Sequence, residues 1–475
     1  MMRIFLLLLT LIPAFGFAQQ NGTKGIRVPL GQVVENMQSR SDSAMSYAIY
    51  LPTKYSHERK WPLLIAMDPR GRALIPMELY REAAERLGYI IVSSYNTQSD
   101  AAWAPNVKAM QAIMSDIPNM FAIDDRRIYL TGFSGTAMGA WSFANNLHPH
   151  VAGLINFCGA IFEWSQPKKD AAYTFFGGSG VRDFNYEEMR SLEKTLNTIG
   201  IPHRVVYFDG AHEWGSKQIC SEGLDWMELQ AMKTELRPRD AAWIDDLFAK
   251  RMEKAVQLES NGETFEAYRE YKSILDDFSN LKPLEELSKK VEVLSKSKTV
   301  EETFKKMDRL AKDELEFVEK LIAYMNATRF PGEAESEHEL RNNLEISSLI
   351  KKSANSKDPL EALWAQRMLE TAFVQCSFYG PRQALEAKNS RTAFRMLAVA
   401  DQIKPEHQRV LYMKAWAHLV DHDEKNALKF LNKMVEQQYI TSADAIASDP
   451  NFEGLRKNAE FQQLLEKLPQ GAPKK

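Results

Sequence analysis

In the stretch RIYLTGFSGT, residues 127–136, an apolar run ends at Ser134, with Gly132 two positions before it and Gly135 directly after. The residues that follow, TAMGAWSFANNL, carry apolar side chains at helical spacing. A serine on a sharp turn between a buried strand and a helix presents its hydroxyl to a carbonyl carbon, and small neighbours keep the turn clear. The pattern for such a turn is G-x-S-x-G, but Thr136 occupies the last position here. This β-branched residue is expected to crowd the helix against the strand without displacing the serine hydroxyl. A hydroxyl is a weak nucleophile at neutral pH, so it needs a base, and the base needs an acid that holds its tautomer. His212 follows a strand and a glycine turn in VVYFDGAHEWG, and Asp183 lies just past the glycine loop of AAYTFFGGSGVRDFNYEEM. Serine, then acid, then histidine, each after a strand, is the order this kind of turn calls for. The rivals fit less well: His203 opens a strand, Asp209 suits a turn in DGAH, and Glu213 merely adjoins His212.

Attack on a carbonyl creates an oxyanion that needs two N–H donors. Gly135 is expected to supply one. The loop in LLIAMDPRGRA is expected to supply the other through Arg70 or Gly71, since Pro69 has no N–H. Asn96, Gln98 and Trp103 follow a predicted strand and Trp214 follows His212. These four are candidates to line a substrate cleft, with ordinary loop packing as the alternative. The HPH stretch at 148–150 has no further ligands nearby, and the three cysteines, Cys158, Cys220 and Cys376, lack metal-ligand spacing, so no metal site is assigned. Three cysteines are also too few for a disulfide framework. One pair, Cys158 with Cys220, remains open in an oxidising compartment, against the reading of small buried apolar residues.

These residues must be positioned by elements around them. Short β-branched and aromatic runs alternate with helical patterns: SYAIYLP, PLLIAMDP, YIIVSSYN, RIYLTGFS, GLINFCGA, AAYTFFGG and HRVVYFDG. Several are continuously apolar, as parallel strands covered on both faces must be. The pattern predicts an α/β domain, a doubly wound and mostly parallel sheet, over residues 46–237. After ELRPRDAAW the strands stop and charged stretches with Leu, Ala, Met and Phe at helical spacing take over, predicting an all-α domain over 238–475. Within it Ala393 and Ala427 stand in equivalent places 34 residues apart, the tetratricopeptide period, so an irregular TPR-like helical repeat is expected.

Lys plus Arg number 60 and Asp plus Glu 63, a net charge of -3, which gives no electrostatic case for nucleic acid or an anionic membrane as partner. MMRIFLLLLTLIPAFGFAQQ has a basic start, an apolar run shorter than the ~20 residues of a membrane span, and small residues at Gly16 and Ala18. It reads as a signal peptide, residues 1–18, cut after Ala18, followed by a lead segment, 19–45. The mature chain is then expected in the periplasm or outside the cell.

IYLTGFSGT, DPRGR, VRDFNY and FDGAHEW together resemble the esterase and dienelactone-hydrolase-like branch of the α/β-hydrolase superfamily, in particular exported members with tetratricopeptide-like tails. The resemblance covers about 190 residues and is specific to superfamily and triad rather than to substrate. It implies Ser134 as nucleophile, Asp183 as acid, His212 as base, a carboxylic-ester substrate, small or polymer-borne, and no cofactor. Thr136 and the Asp68-Pro69 pair depart from the family's glycine and His-Gly. The resulting expectation is an exported serine hydrolase working through an acyl-enzyme. A peptidase or thioesterase with the same triad is the nearest rival. From another class, the rival is an inert binding protein whose helical half docks a protein partner or a second copy.

Overall fold

The computed structural model describes residues 28–100, 102–147, 151–169, 171–329 and 337–469; the segment read as a signal peptide and the HPH stretch lie outside the described residues. One eight-stranded sheet comprises β1 (Val33–Gln38), β2 (Ser46–Tyr50), β3 (Trp61–Met67), β4 (Ile90–Ser94), β5 (Ile123–Phe133), β6 (Val151–Phe157), β7 (Thr174–Gly180) and β8 (His203–Phe208). Its order is β1-β2-β4-β3-β5-β6-β7-β8, with β2 antiparallel to both of its neighbours and every pair from β4 onward parallel. This is the strand order of the α/β-hydrolase fold. The seven strands read from apolar runs are β2 to β8. The sheet starts earlier, at β1, inside the segment read as a lead. VVENMQ escaped the sequence reading because it is a bulged edge strand that leaves Glu35 and Asn36 in solvent, so it never shows a continuous apolar run.

Strands buried on both faces need helices on both faces. α1 (Leu74–Leu87), α2 (Ala104–Met120), α3 (Gly135–Leu147), α4 (Tyr186–Ile199) and α5 (Lys217–Lys233) supply them. On β3 every residue is buried, and the side chains alternate. Leu63, Ile65 and Met67 join Met110 of α2, Trp141 of α3 and Leu192 of α4, whereas Leu64 joins Tyr80 of α1 and Leu224 of α5. At roughly 1.5–3 kcal/mol for each such side chain, this double burial explains why these strands carry almost no polar residues. Cys158, Cys220 and Cys376 are buried and free, so the Cys158–Cys220 pair does not form.

From Asp240, whose side chain accepts from Trp243 N and caps the next helix, the chain is helical. The helices are α6 (Ala241–Ser260), α7 (Thr264–Asp277), α8 (Glu285–Ser295), α9 (Lys298–Arg329), α10 (Glu337–Asn343), α11 (Ile346–Asn355), α12 (Pro359–Val374), α13 (Gly380–Glu386), α14 (Ser390–Ile403), α15 (Gln408–Val420), α16 (Glu424–Glu436), α17 (Asp444–Ala447) and α18 (Ala459–Glu466). Ala393 on α14 and Ala427 on α16 are both fully buried, where a larger side chain would push neighbouring helices apart. No helix among the described residues is long and apolar enough to cross a membrane.

A buried ion cluster joins the two halves. Arg204 on β8 lies 3.4 Å from Asp277 and 3.6 Å from Glu270, both on α7, and Arg251 on α6 donates to Glu270 at 2.8 Å and also meets Asp277. Trp226 Nε1 on α5 donates to Asp277 at 2.6 Å. Burial alone would raise the Glu270 carboxyl, but Arg251, Arg204 and Lys254 outweigh it and hold it down at about 2. A carboxyl with a depressed folded pKa stabilises the protein above its unfolded value, and that contribution is lost as pH falls through the folded one. Glu270→Gln is therefore expected to cost on the order of 2 kcal/mol near neutral pH. In urea titrations the gap from wild type should close as pH drops from about 4.5 toward 2; a gap independent of pH would contradict this account.

Candidate active site

Ser134 stands between β5 and α3 with φ 56°, in the left-handed region that a non-glycine residue adopts only under constraint. The constraints come from close backbone approach. A Cβ on Gly132 would lie 2.7 Å from Ala137 N, and one on Gly135 would lie 2.5 Å from Ser99 Cβ. Ser134 N donates to Phe157 O at 2.9 Å, tying the turn to β6. Thr136 does more than crowd the turn: its buried Oγ1 lies 2.7 Å from Met67 O at the end of β3 and 2.8 Å from Phe133 O. It is a brace between β3 and β5 that glycine would not provide.

The structure brings Ser134, His212 and Asp183 together. His212 Nε2 is 2.8 Å from Ser134 Oγ, and His212 Nδ1 is 2.8 Å from Asp183 Oδ1. An ionised carboxylate only accepts, so the proton sits on Nδ1 and Nε2 is left to accept from the serine hydroxyl. Phe184 stacks on the imidazole at 4.2 Å and Phe133 lies against it at 4.8 Å, which fixes the ring plane. The two loops are joined by backbone bonds from Val181 N to Phe208 O and from Arg182 N to Gly210 O. Asp183 is fully buried and also accepts from Asn185 N at 3.0 Å, while Asn185 Nδ2 donates to Cys158 O. Cys158, φ 52°, sits beside this line, its ligand atom within 4.8 Å of those of Asp183 and His212. Burial, then the charge of Asp183, pushes its thiol well above the usual range, so it stays protonated and donates to Glu213 O at 3.1 Å. Phe184, Asn185 and Cys158 were missed in the sequence, although VRDFNY contains two of them, because only the return of β6 and β8 beside β7 gives them a role. The rivals fall elsewhere: Asp209 pairs with Arg182 at the surface and His203 Nδ1 lies 2.7 Å from Ile201 O.

Gly135 is the first residue of α3, where the N–H groups of a helix's first turn have no partner within the helix. The expected second donors do not match: Arg70 N donates to Asp68 Oδ1 at 2.9 Å and Gly71 N to Asp68 O at 3.1 Å, so both N–H groups are consumed within their own turn. The cause is Asp68, a buried carboxylate that draws these donors to itself. Burial opposes its ionisation, but Arg72, Trp214 Nε1 and Arg70 N overcome this and keep its pKa low. Trp214 is thus a brace, packed on Phe133 and Phe157. Asn96 holds Ser46 N and Ala44 O, and Gln98 bonds Asn106 and Ala102 O, so both stabilise loops. Trp103 packs over Gly139 among Phe143, Phe162 and Trp164.

The helical half reaches these loops. Arg367 on α12 donates to Val181 O at 3.2 Å, two residues before Asp183, with Glu314 of α9 at 3.1 Å and the Tyr186 ring at 4.4 Å. Tyr379 Oη donates to Asp100 Oδ1, 3.4 Å away, in the loop after β4. Parts of the C-terminal half thus stand against the loops that follow β7 and β4.

A serine hydroxyl, an imidazole that accepts from it and a buried carboxylate behind the imidazole form the arrangement that transfers acyl groups. No protein-family model matches the chain, and no curated protein matches it. Among solved structures, the chain is similar to an S-formylglutathione hydrolase from Staphylococcus aureus, with 13% identity over 43% of this chain and 99% of that one, TM-score 0.34. It is also similar to a thermostable esterase, 18% identical over 41% and 61%, TM-score 0.34. A hyperthermophilic esterase from the archaeon Pyrobaculum calidifontis is 14% identical over 44% and 87%, again with a TM-score of 0.34.

Thr136→Val keeps the shape but removes the hydroxyl, leaving Met67 O without its partner; a loss of about 1–2 kcal/mol in urea unfolding is expected. Thr136→Gly should be at least as destabilising, which would show that the departure from glycine is a brace and not a defect.

Proposed function

We propose that this chain is an exported serine hydrolase that cleaves a carboxylic ester through an acyl-enzyme, with Ser134 as nucleophile, His212 as base and Asp183 as acid. The observation that supports it best is the continuous line of two 2.8 Å contacts from Ser134 through His212 to the buried Asp183. His212 Nε2 takes the hydroxyl proton as Oγ attacks the ester carbon, and Asp183 stabilises the imidazolium without itself being protonated. The Gly135 N–H meets the developing oxyanion. His212 then returns the proton to the departing alkoxide, leaving an acyl group on Ser134. Water, deprotonated by the same imidazole, releases the acid. The reaction as written needs no cofactor, and export rests on the signal-peptide pattern of residues 1–18.

The first test is hydrolysis of short-chain p-nitrophenyl esters, with fluorophosphonate labelling alongside. Ser134→Ala is expected to abolish both, and Asp183→Asn to lower kcat by roughly ten-thousand-fold, because the wrong tautomer then faces the serine. Labelling that persists in Ser134→Ala overturns the assignment. A folded wild-type chain with neither labelling nor turnover overturns the enzyme reading and leaves the inert-scaffold alternative.

A further inference from the structure

Asp183 stands on a loop, residues 181–185, that joins β7 to α4 and is gripped from outside by the helical half. Bonds from Val181 N to Phe208 O and from Arg182 N to Gly210 O tie this loop to the one that carries His212. Both loops hang from the last two strands of the sheet, and β8 has no strand on its outer side. The outer anchor is Arg367 on α12, whose Nη1 donates to Val181 O at 3.2 Å. Its Nε and Nη2 each lie 3.1 Å from Glu314 Oε2 on α9, and Nη2 is 3.6 Å from Glu187 Oε1 on α4. The guanidinium covers the Tyr186 ring at 4.4 Å, three residues after Asp183. The side chain is 6% exposed, so its donors must find their partners inside the protein.

Stability alone does not account for this arrangement. Burial, which the charge of Arg367 only partly offsets, pushes the Glu314 carboxyl up to about 7. A carboxyl raised in the folded state contributes stability below its unfolded value and loses it as pH rises through the folded one, so ionising Glu314 near neutral pH is a net cost to the fold. What Glu314 and Glu187 do fix is the direction of a planar fork, with Nη1 aimed at Val181 O. Glu187 is itself held by Arg190 at 2.9 Å.

Building on the ester-hydrolase reading, we propose that Arg367 is a positioning residue for the reaction: from the helical half it holds the acid loop so that Asp183 stays in line with His212. The C-terminal half thereby sets the rate of acyl transfer without touching the substrate.

The test is made on the full chain with Arg367→Gln and Arg367→Lys, using a short-chain p-nitrophenyl ester and the rate of fluorophosphonate labelling. Rates are taken per serine labelled at saturation, so loss of folded enzyme does not count as loss of kcat. Arg367→Gln is expected to lower kcat and the labelling rate together by roughly ten- to hundredfold with KM nearly unchanged, the scale on which a catalytic group displaced by about 1 Å loses rate. Arg367→Lys keeps a charge and a donor and should recover part of the loss; if Arg367→Gln does not fold, it carries the same comparison. Glu270→Gln, which loosens the contact between the halves at the other end of β8, should leave kcat unchanged. In an Asp183→Asn background Arg367→Gln should slow labelling by no more than about twofold further, because its effect passes through that carboxylate, whereas an independent effect would multiply. An unchanged kcat in folded Arg367→Gln, an effect on KM alone, an equal loss in Glu270→Gln, or full multiplication with Asp183→Asn overturns the proposal. A wild type that neither labels nor turns over overturns the ester-hydrolase reading itself, and the proposal with it.

Discussion

A carboxylate with no solvent contact survives in a protein only if donors surround it, and Asp183 is such a group. His212 Nδ1 and Asn185 N provide them, and both depend on loops whose positions are set by other strands. The bond to His212 forms only when the ends of β7 and β8 are level, which the backbone bonds of Val181 and Arg182 secure. The histidine reaches Ser134 only when β5 ends in the strained turn that Gly132 and Gly135 permit. The contacts of His212 and Asn185 with Asp183 keep this one charge satisfied while the far nitrogen of the imidazole faces Ser134.

The same logic extends outward. Asp68, a second buried carboxylate at the rim, collects Arg72, Trp214 and the N–H of Arg70, and so determines how the turn after β3 folds. Its demand for donors explains why that turn spends N–H groups that a different residue would leave free. A local electrostatic requirement thus overrides what the loop's position in the fold would suggest.

The C-terminal half is part of this arrangement. Arg367 supports the carbonyl of Val181 beside the acid loop, Tyr379 meets the loop after β4, and the Arg204, Arg251, Glu270 and Asp277 cluster seals the two halves at β8. Buried ion pairs of this kind contribute little net stability against an apolar alternative, but breaking one leaves a stranded charge. They specify one relative placement of the halves.

By itself the sequence determined the strands buried on both faces, since continuous apolar runs have no other stable use, and the serine turn, since glycines around a serine after such a run answer to local sterics. It also picked out Asp183 and His212 as residues that could stand beside Ser134, because order along the chain and position after a strand are one-dimensional facts, and the fold brings the three within hydrogen-bond distance. It did not reveal β1, whose half-exposed pattern is indistinguishable from a loop until β2 is beside it. Nor did it show that Thr136 braces β3, that Arg70 and Gly71 spend their N–H groups on Asp68, or that Asn96 ties its loop to Ala44 and Ser46 while Gln98 bonds Ala102 and Asn106. Those outcomes are contacts between residues tens of positions apart or competition for donors within a turn, and only the folded chain decides which partner wins. The meeting of Arg367 with Val181 and of Tyr379 with Asp100 spans the longest separations of all, and only the packing of helices on the sheet could bring them about.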